Sequence, residues 1–238
     1  MAHIVSSFDA ELQKLSTLVV DMGATVGRQI EDAAAAFRTR DLELARRVVA
    51  ADKTVDALQI RIEERVISMI AKRQPLAIDL RETIATLKIA TDLERMGDLA
   101  KNNAKRVIAM NEQTQPAGAG VNLDIQSKRA FEQLSRVMQA YVRRDTQLAR
   151  GVWDSDGEID TLHTALFREL LTYMMEDPRS IGYCTHLLFC AKNLERFADH
   201  ATNIAENIHY VATGAFLSGD RPKGLDPSNT QPDAPNNC

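Results

Sequence analysis

The chain has 238 residues, a formal net charge of -4 at pH 7, 5% aromatic residues, 11 Gly and 7 Pro. That length suits one large domain or two small ones in tandem, and plentiful Ala, Leu, Glu, Arg and Ile favour long helices over sheet. The acidic balance excludes a general nucleic-acid binder, which needs a surplus of Lys and Arg on one face. Cys184 and Cys190 are too far apart for a CxxC motif and Cys238 ends a polar stretch, so all three are expected as reduced thiols in a cytoplasmic protein. The start, MAHIVSSFDAELQ, lacks a charged segment followed by an apolar one, and there is no run of about 18 apolar residues, so neither secretion nor membrane spanning is expected.

In chain order, Phe8, Leu12, Leu15, Val19, Met22 and Val26 recur at three- and four-residue steps and predict one long amphipathic helix. Asp41 suits the N-cap of a second, with Val48, Val55, Ile62, Val66 and Met69 along one stripe and an end before Pro75. A third runs to about Met110, and QTQPAGAGVN, with Pro116, Gly118 and Gly120, reads as a linker. The pattern restarts at Leu123, and helices four to six mirror the first three. RDLELARRVVAADKTVDAL from Arg40 aligns with RDTQLARGVWDSDGEIDTL from Arg144, an offset of 144 − 40 = 104. TDLERMGDLAKNNAKRV from Thr91 aligns with KNLERFADHATNIAENI from Lys192, an offset of 192 − 91 = 101. The expected fold is therefore all-α: a three-helix bundle over 1–115, a second over 121–213, and a disordered tail over 214–238.

Four acidic pairs at i,i+4 spacing fall on the second and third helices of both halves: Asp52/Asp56, Glu94/Asp98, Asp156/Asp160 and Glu195/Asp199. Like charges so placed cost about 0.2–0.5 kcal/mol per pair in an isolated helix. Pro75 is a mirror point, since 75 − 52 equals 98 − 75 and 75 − 56 equals 94 − 75, so an antiparallel hairpin sets Asp52 opposite Asp98 and Asp56 opposite Glu94. The second half is nearly symmetric about Pro178. A single acidic pair is ordinarily a solvated helix face, but four matched and turn-symmetric pairs point to two sites for a hard cation, Mg, Mn, Ca or iron. No Cys or His recurs at matched positions, which disfavours zinc.

Asn102 and Asn203, one turn further on, can add an amide oxygen or a second-shell hydrogen bond, with capping or a surface role as the alternative. His200 is matched by Leu99 in the other half and reads as an ordinary helical residue. Glu206 and His209 form a single Glu-x-x-His, matched by Lys105 and Ile108 and so lacking the second motif a di-iron bundle needs. Arg95 and Arg196 read as partners in salt bridges, and Trp153 and Phe197 as packing. No P-loop, GxSxG, HExxH or dinucleotide fingerprint is present, so no enzyme is expected. The competing class is a dinuclear-metal enzyme of oxidase or hydrolase type. Two further alternatives stand beside it: an acidic cluster that docks on a basic partner, and an adaptor whose sites hold no metal.

The tandem blocks ending in LERMGDLAKN and LERFADHATNIAE, with FDAELQKL near the start and the RDLELA entry to helix two, resemble the PhoU family over roughly Phe8 to Gly214. The resemblance implies two three-helix bundles related by pseudo-two-fold symmetry and iron or other divalent-metal sites at the eight acids named above. It also implies a negative regulator of phosphate uptake and of the phosphate-starvation response, acting between the phosphate-specific ABC transporter, through its PstB-like ATPase, and a PhoR-like sensor histidine kinase. Such a protein would be peripheral to the membrane complex only through those partners, with a homodimer left open. Phe197-Ala198 replace Met96-Gly97, which puts close packing at the second site in doubt.

Overall fold

A computed structural model describes residues 2–116 and 118–217, with side chains for 8–116, 118–155 and 157–217. Its long elements are α1 (Ala2–Thr39), α2 (Leu42–Arg73), α3 (Ala77–Ala109), α4 (Val121–Arg143), α5 (Thr146–Asp154), α6 (Asp156–Glu176) and α7 (Ile181–Thr213), with a 3-10 turn at Pro178–Ser180. No strand occurs among the described residues.

The repeat extends to the backbone of the turns. Arg40 and Arg144 take left-handed φ values of 54° and 53°, and the following Asp41 and Asp145 amides reach back to the Ala36 and Ala140 carbonyls at 3.1 and 3.0 Å. This closes α1 and α4 in the same way, with carbonyls that the helix cannot satisfy itself given donors. Asp41 then caps α2 by accepting from the Leu44 amide at 2.9 Å, and Asp145 caps α5 by accepting from the Gln147 and Leu148 amides at 3.0 Å. One tripartite signal, a left-handed Arg followed by a capping Asp and a new helix, thus reverses the chain in each half. In the linker Gly120 has φ 105°, and a Cβ there would lie 2.5 Å from the Phe37 ring, so both conformation and space require glycine.

The second half departs from the expectation at helix five, which is two helices with a break at Ser155. The matched position in α2 is Ala51, and Arg47 and Lys53 stand where the second half has Gly151 and Gly157. Each glycine costs roughly 0.8–1 kcal/mol of helix propensity against Ala. The Ser155 hydroxyl and amide both donate to the Val152 carbonyl, at 2.9 and 3.2 Å, which substitutes a tight turn for the α-helical ladder. Asp156 therefore opens α6 instead of lying inside a continuous helix.

Each half is a three-layer bundle, α1–α2–α3 and α4–α5/α6–α7, and the halves meet through α3 against α7 and α1 against α4. A single apolar core runs through both, from Leu15, Met22 and Ile30 to Leu166, Leu187 and Phe197. Polar links cross the seam: Asn193 donates to Asn103 Oδ1 at 2.8 Å, and Asn103 Nδ2 donates to the Cys190 carbonyl at 3.5 Å. The expected tail begins inside the described region, where Phe216 stacks on Tyr210 with centroids 4.6 Å apart; residues 218–238 lie outside the described residues.

Candidate metal sites

Asp52 and Asp56 ride on α2, and Glu94 and Asp98 on the antiparallel α3. Asp52 is 6% exposed, an uncommon burial for a carboxylate that demands a compensating charge. The structure supplies it through Lys101, whose Nζ lies 2.5 Å from Asp52 Oδ2 and 2.5 Å from Asp98 Oδ1. One ammonium thus bridges α2 and α3 at the level where the mirror about Pro75 sets those two acids opposite each other. Burial opposes the charge on Lys101, but hydrogen bonds to Asp52 and Asp98 outweigh it and hold its pKa above the usual lysine value.

Glu94 is pushed toward its neutral form. Burial raises its pKa first, the Asp98 carboxylate adds to it, Arg95 at 3.5 Å opposes, and Asp56 and Asp52 raise it further. The other three acids of the first half thus all act on Glu94, and Lys101 pairs with only two of the four. Asp56 stands exposed at the outer edge.

In the second half Glu195 lies on α7, with Lys192 Nζ 2.5 Å from its Oε2. That contact is an ion pair by distance only, because the buried Oε2 makes no hydrogen bond. His163 of α6 faces the same place. Burial lowers its pKa, Glu195 opposes that shift, Lys192 adds to it and Asp160 opposes it, while its buried Nδ1 has no hydrogen-bond partner. Asp160 and Asp199 are half-buried on α6 and α7, and the side chain of Asp156 lies outside the described residues.

Among the described residues no three His, Cys, Asp or Glu side chains stand close enough to hold an ion as placed. The donor set nevertheless suits a hard cation in kind: carboxylate oxygens on adjacent helices, one of them driven toward protonation by burial and its neighbours, and a buried carboxylate oxygen with no hydrogen bond. A cation at these acids would have to displace Lys101 from Asp52 and Asp98.

The remaining candidates serve other ends. Asn203 donates to Asp92 Oδ1 at 3.4 Å, and His200 Nδ1 lies 2.9 Å from the same oxygen, so both act at the α3–α7 seam. Asn102 is exposed. Glu206 accepts from Trp153 Nε1 at 3.0 Å and His209 Nδ1 lies 3.1 Å from the Ala215 carbonyl, so each member of the Glu-x-x-His has a polar partner outside the motif. Sequence reasoning passed over Lys101, although its spacing of three from Asp98 and seven from Glu94 marks it as sharing their face; the repeat has buried Thr202 there. His163 was passed over because its match in α2 is Gln59, so no recurrence drew attention to it.

A family profile described as the PhoU domain matches residues 19–107 and again 125–208. The chain is 50% identical over 222 residues to the phosphate-specific transport system accessory protein PhoU homolog of Rhizobium meliloti (strain 1021), covering 93% of this chain and 94% of that protein. Among solved structures, PhoU from Pseudomonas aeruginosa superposes with a TM-score of 0.84 at 35% identity, covering 87% of this chain and all (100%) of the other. The phosphate transport system regulatory protein PhoU from Streptococcus pneumoniae superposes with a TM-score of 0.82 at 29% identity, covering 89% of this chain and 99% of the other.

Proposed function

The chain belongs to the PhoU family, and on that footing we propose that it is a cytoplasmic, non-catalytic accessory protein that restrains phosphate-specific transport and the phosphate-starvation response when phosphate is plentiful. No helix among the described residues is long and apolar enough to cross a membrane, so it reaches the membrane complex through partners: the PstB-like ATPase of the transporter and a PhoR-like sensor histidine kinase. The relatives it resembles carry accessory and regulatory names, and the lack of a second Glu-x-x-His at Lys105 and Ile108 supports a regulator over a di-iron enzyme.

The observation that carries the mechanism is the Lys101 bridge between Asp52 and Asp98 beside a Glu94 whose pKa is raised. Acids on two helices hold one positive charge in common, and the total negative charge exceeds it. A divalent or trivalent cation at the first site would join α2 to α3, and one at the second would join α6 to α7 through Asp160, Glu195 and Asp199, with Asp156 of α6 as the fourth acid of the set. The cation supplies charge neutralisation and fixed oxygen geometry. The chain's own residues hold the helices in register and present the resulting surface to the kinase or the ATPase.

A strain lacking its own copy of the gene, complemented with this chain, provides the test through a phosphate-starvation reporter at high phosphate. The wild-type chain is expected to restore repression, while a variant with all eight acids changed to Asn or Gln, helical by circular dichroism, leaves the reporter on. Full repression by that variant would refute the role of the acidic faces. Failure of the wild-type chain to repress would refute the regulatory assignment itself.

A further inference from the structure

Inside each bundle a glutamine of the first helix lies buried with amide atoms unpaired. Gln29 of α1 is 2% exposed, and neither its Nε2 nor its Oε1 has a hydrogen-bond partner. Gln133 of α4 is 5% exposed; its Nε2 donates at 3.4 Å to the Ser155 carbonyl, and its Oε1 has no partner. The two are repeat mates, since 133 − 29 = 104 equals the offset between Arg40 and Arg144. Burying an unpaired amide sacrifices hydration with nothing in return, and an apolar side chain of the same size would avoid the loss. That the same residue type carries this burden at the same place in both halves calls for a ligand that restores the lost hydrogen bonds.

The surroundings say where that ligand lies. A Cβ on Gly97 of α3 would stand 3.2 Å from Gln29 Oε1 and 3.3 Å from Val55 Cγ1 of α2. Gly97 shares one helix face with Glu94, Asp98 and Lys101, and Val55 sits between Asp52 and Asp56. The Gln29 amide thus ends against the strip of backbone that bears the first set of acids. In the other half the Gln133 amide ends on the carbonyl of Ser155, the residue before Asp156, where α5 gives way to α6.

We propose that Gln29 and Gln133 close the two acidic sites from below, each directing its amide oxygen to the hydrated cation that the carboxylates hold. This rests on the reading of those acids as cation sites. An amide oxygen is a neutral hard donor, suited to a divalent cation or to the water bound to it, and it adds no further negative charge to a site already over-supplied. The glutamines also bring the third helix of each bundle under the cation's influence. Occupancy at the α2–α3 acids is then felt by α1, and at the α6–α7 acids by α4, and α1 and α4 pack on each other across the seam.

Gln29→Met and Gln133→Met test this in the full chain, because methionine fills similar volume without polar atoms at the end of the side chain. Two readouts separate a ligand from a structural hydrogen bond: thermal unfolding of the metal-free protein and its titration with Mn2+. Metal-free Gln29→Met is expected to be at least as stable as wild type and to bind Mn2+ about 10–100-fold more weakly, the usual consequence of removing an outer-shell partner. Unchanged Mn2+ affinity overturns the proposal, as does a Gln29→Met chain that unfolds earlier than wild type or fails to fold. If Asp98→Ala with Asp199→Ala abolishes Mn2+ binding while the glutamine variants retain it, the glutamine role fails and the acidic sites stand. If the wild-type chain takes up no Mn2+, both readings fall.

Discussion

At Glu94 the physics of the first site is concentrated in one side chain. Its carboxyl is buried and faces Asp98, Asp56 and Asp52, so its pKa in the folded state lies above the value it has in the unfolded chain. The folded state therefore holds this proton more tightly, and the metal-free protein is expected to lose stability as pH rises through the Glu94 titration. Lys101 acts in the same sense but at alkaline pH: its raised pKa gives stability that is fully present below the unfolded lysine value and is lost as pH rises past it through the folded value. Between those windows Glu94→Gln is expected to stabilise the metal-free protein by about 0.2–0.5 kcal/mol, through relief of the i,i+4 repulsion with Asp98, and to weaken cation binding. Urea unfolding at neutral pH in the presence of a chelator measures it; a less stable Glu94→Gln would show that the carboxylate is already well compensated in the absence of a cation. Spacing in the sequence exposes the acids because charge at i,i+4 is conspicuous. It sets Lys101 on the face of Glu94 and Asp98 but does not show its ion pair with Asp52 on α2, and it is silent on Gln29 and His163, whose significance comes from where a neighbouring helix places them.

Among the elements, α2 and its counterpart show how much of a helix is written in local chemistry. The Asp41 cap, the stripe from Val48 to Met69 and the stop before Pro75 are all legible, because each is a short-range steric or hydrogen-bonding requirement. The break at Ser155 was equally present in the sequence as the run Asp-Ser-Asp-Gly after Gly151, but the strength of the repeat outweighed it. Alignment assigns the second half the shape of the first, whereas two glycines and a serine hydroxyl that competes for a backbone carbonyl decide otherwise. Gly151→Ala is expected to stabilise the protein by about 0.5–1 kcal/mol, since an added Cβ meets only the mobile end of Arg136 at 3.1 Å. Denaturant unfolding checks this, and a loss of stability would mean that α5 needs the flexibility of glycine to reach the break.

Over the whole molecule, two sequence units form one physical body. The repeat offsets and the PhoU resemblance made the tandem bundles legible, but the continuous core through α3 and α7 and the Asn103–Asn193 link depend on which faces the halves turn toward each other. No short-range pattern encodes that choice. The arrangement leaves α2 and α5/α6 on opposite flanks, each with acids facing a long helix at the seam. A cation bound on a flank would thereby be tied to the helices that join the halves. The direct measurement is elemental analysis of the protein purified without added metal or a histidine tag, beside a variant carrying Asp98→Ala and Asp199→Ala. Iron, manganese or magnesium retained by the wild-type chain and lost in the variant, at equal helix content, is the predicted result. No bound metal in either protein, even after reconstitution, would contradict the account.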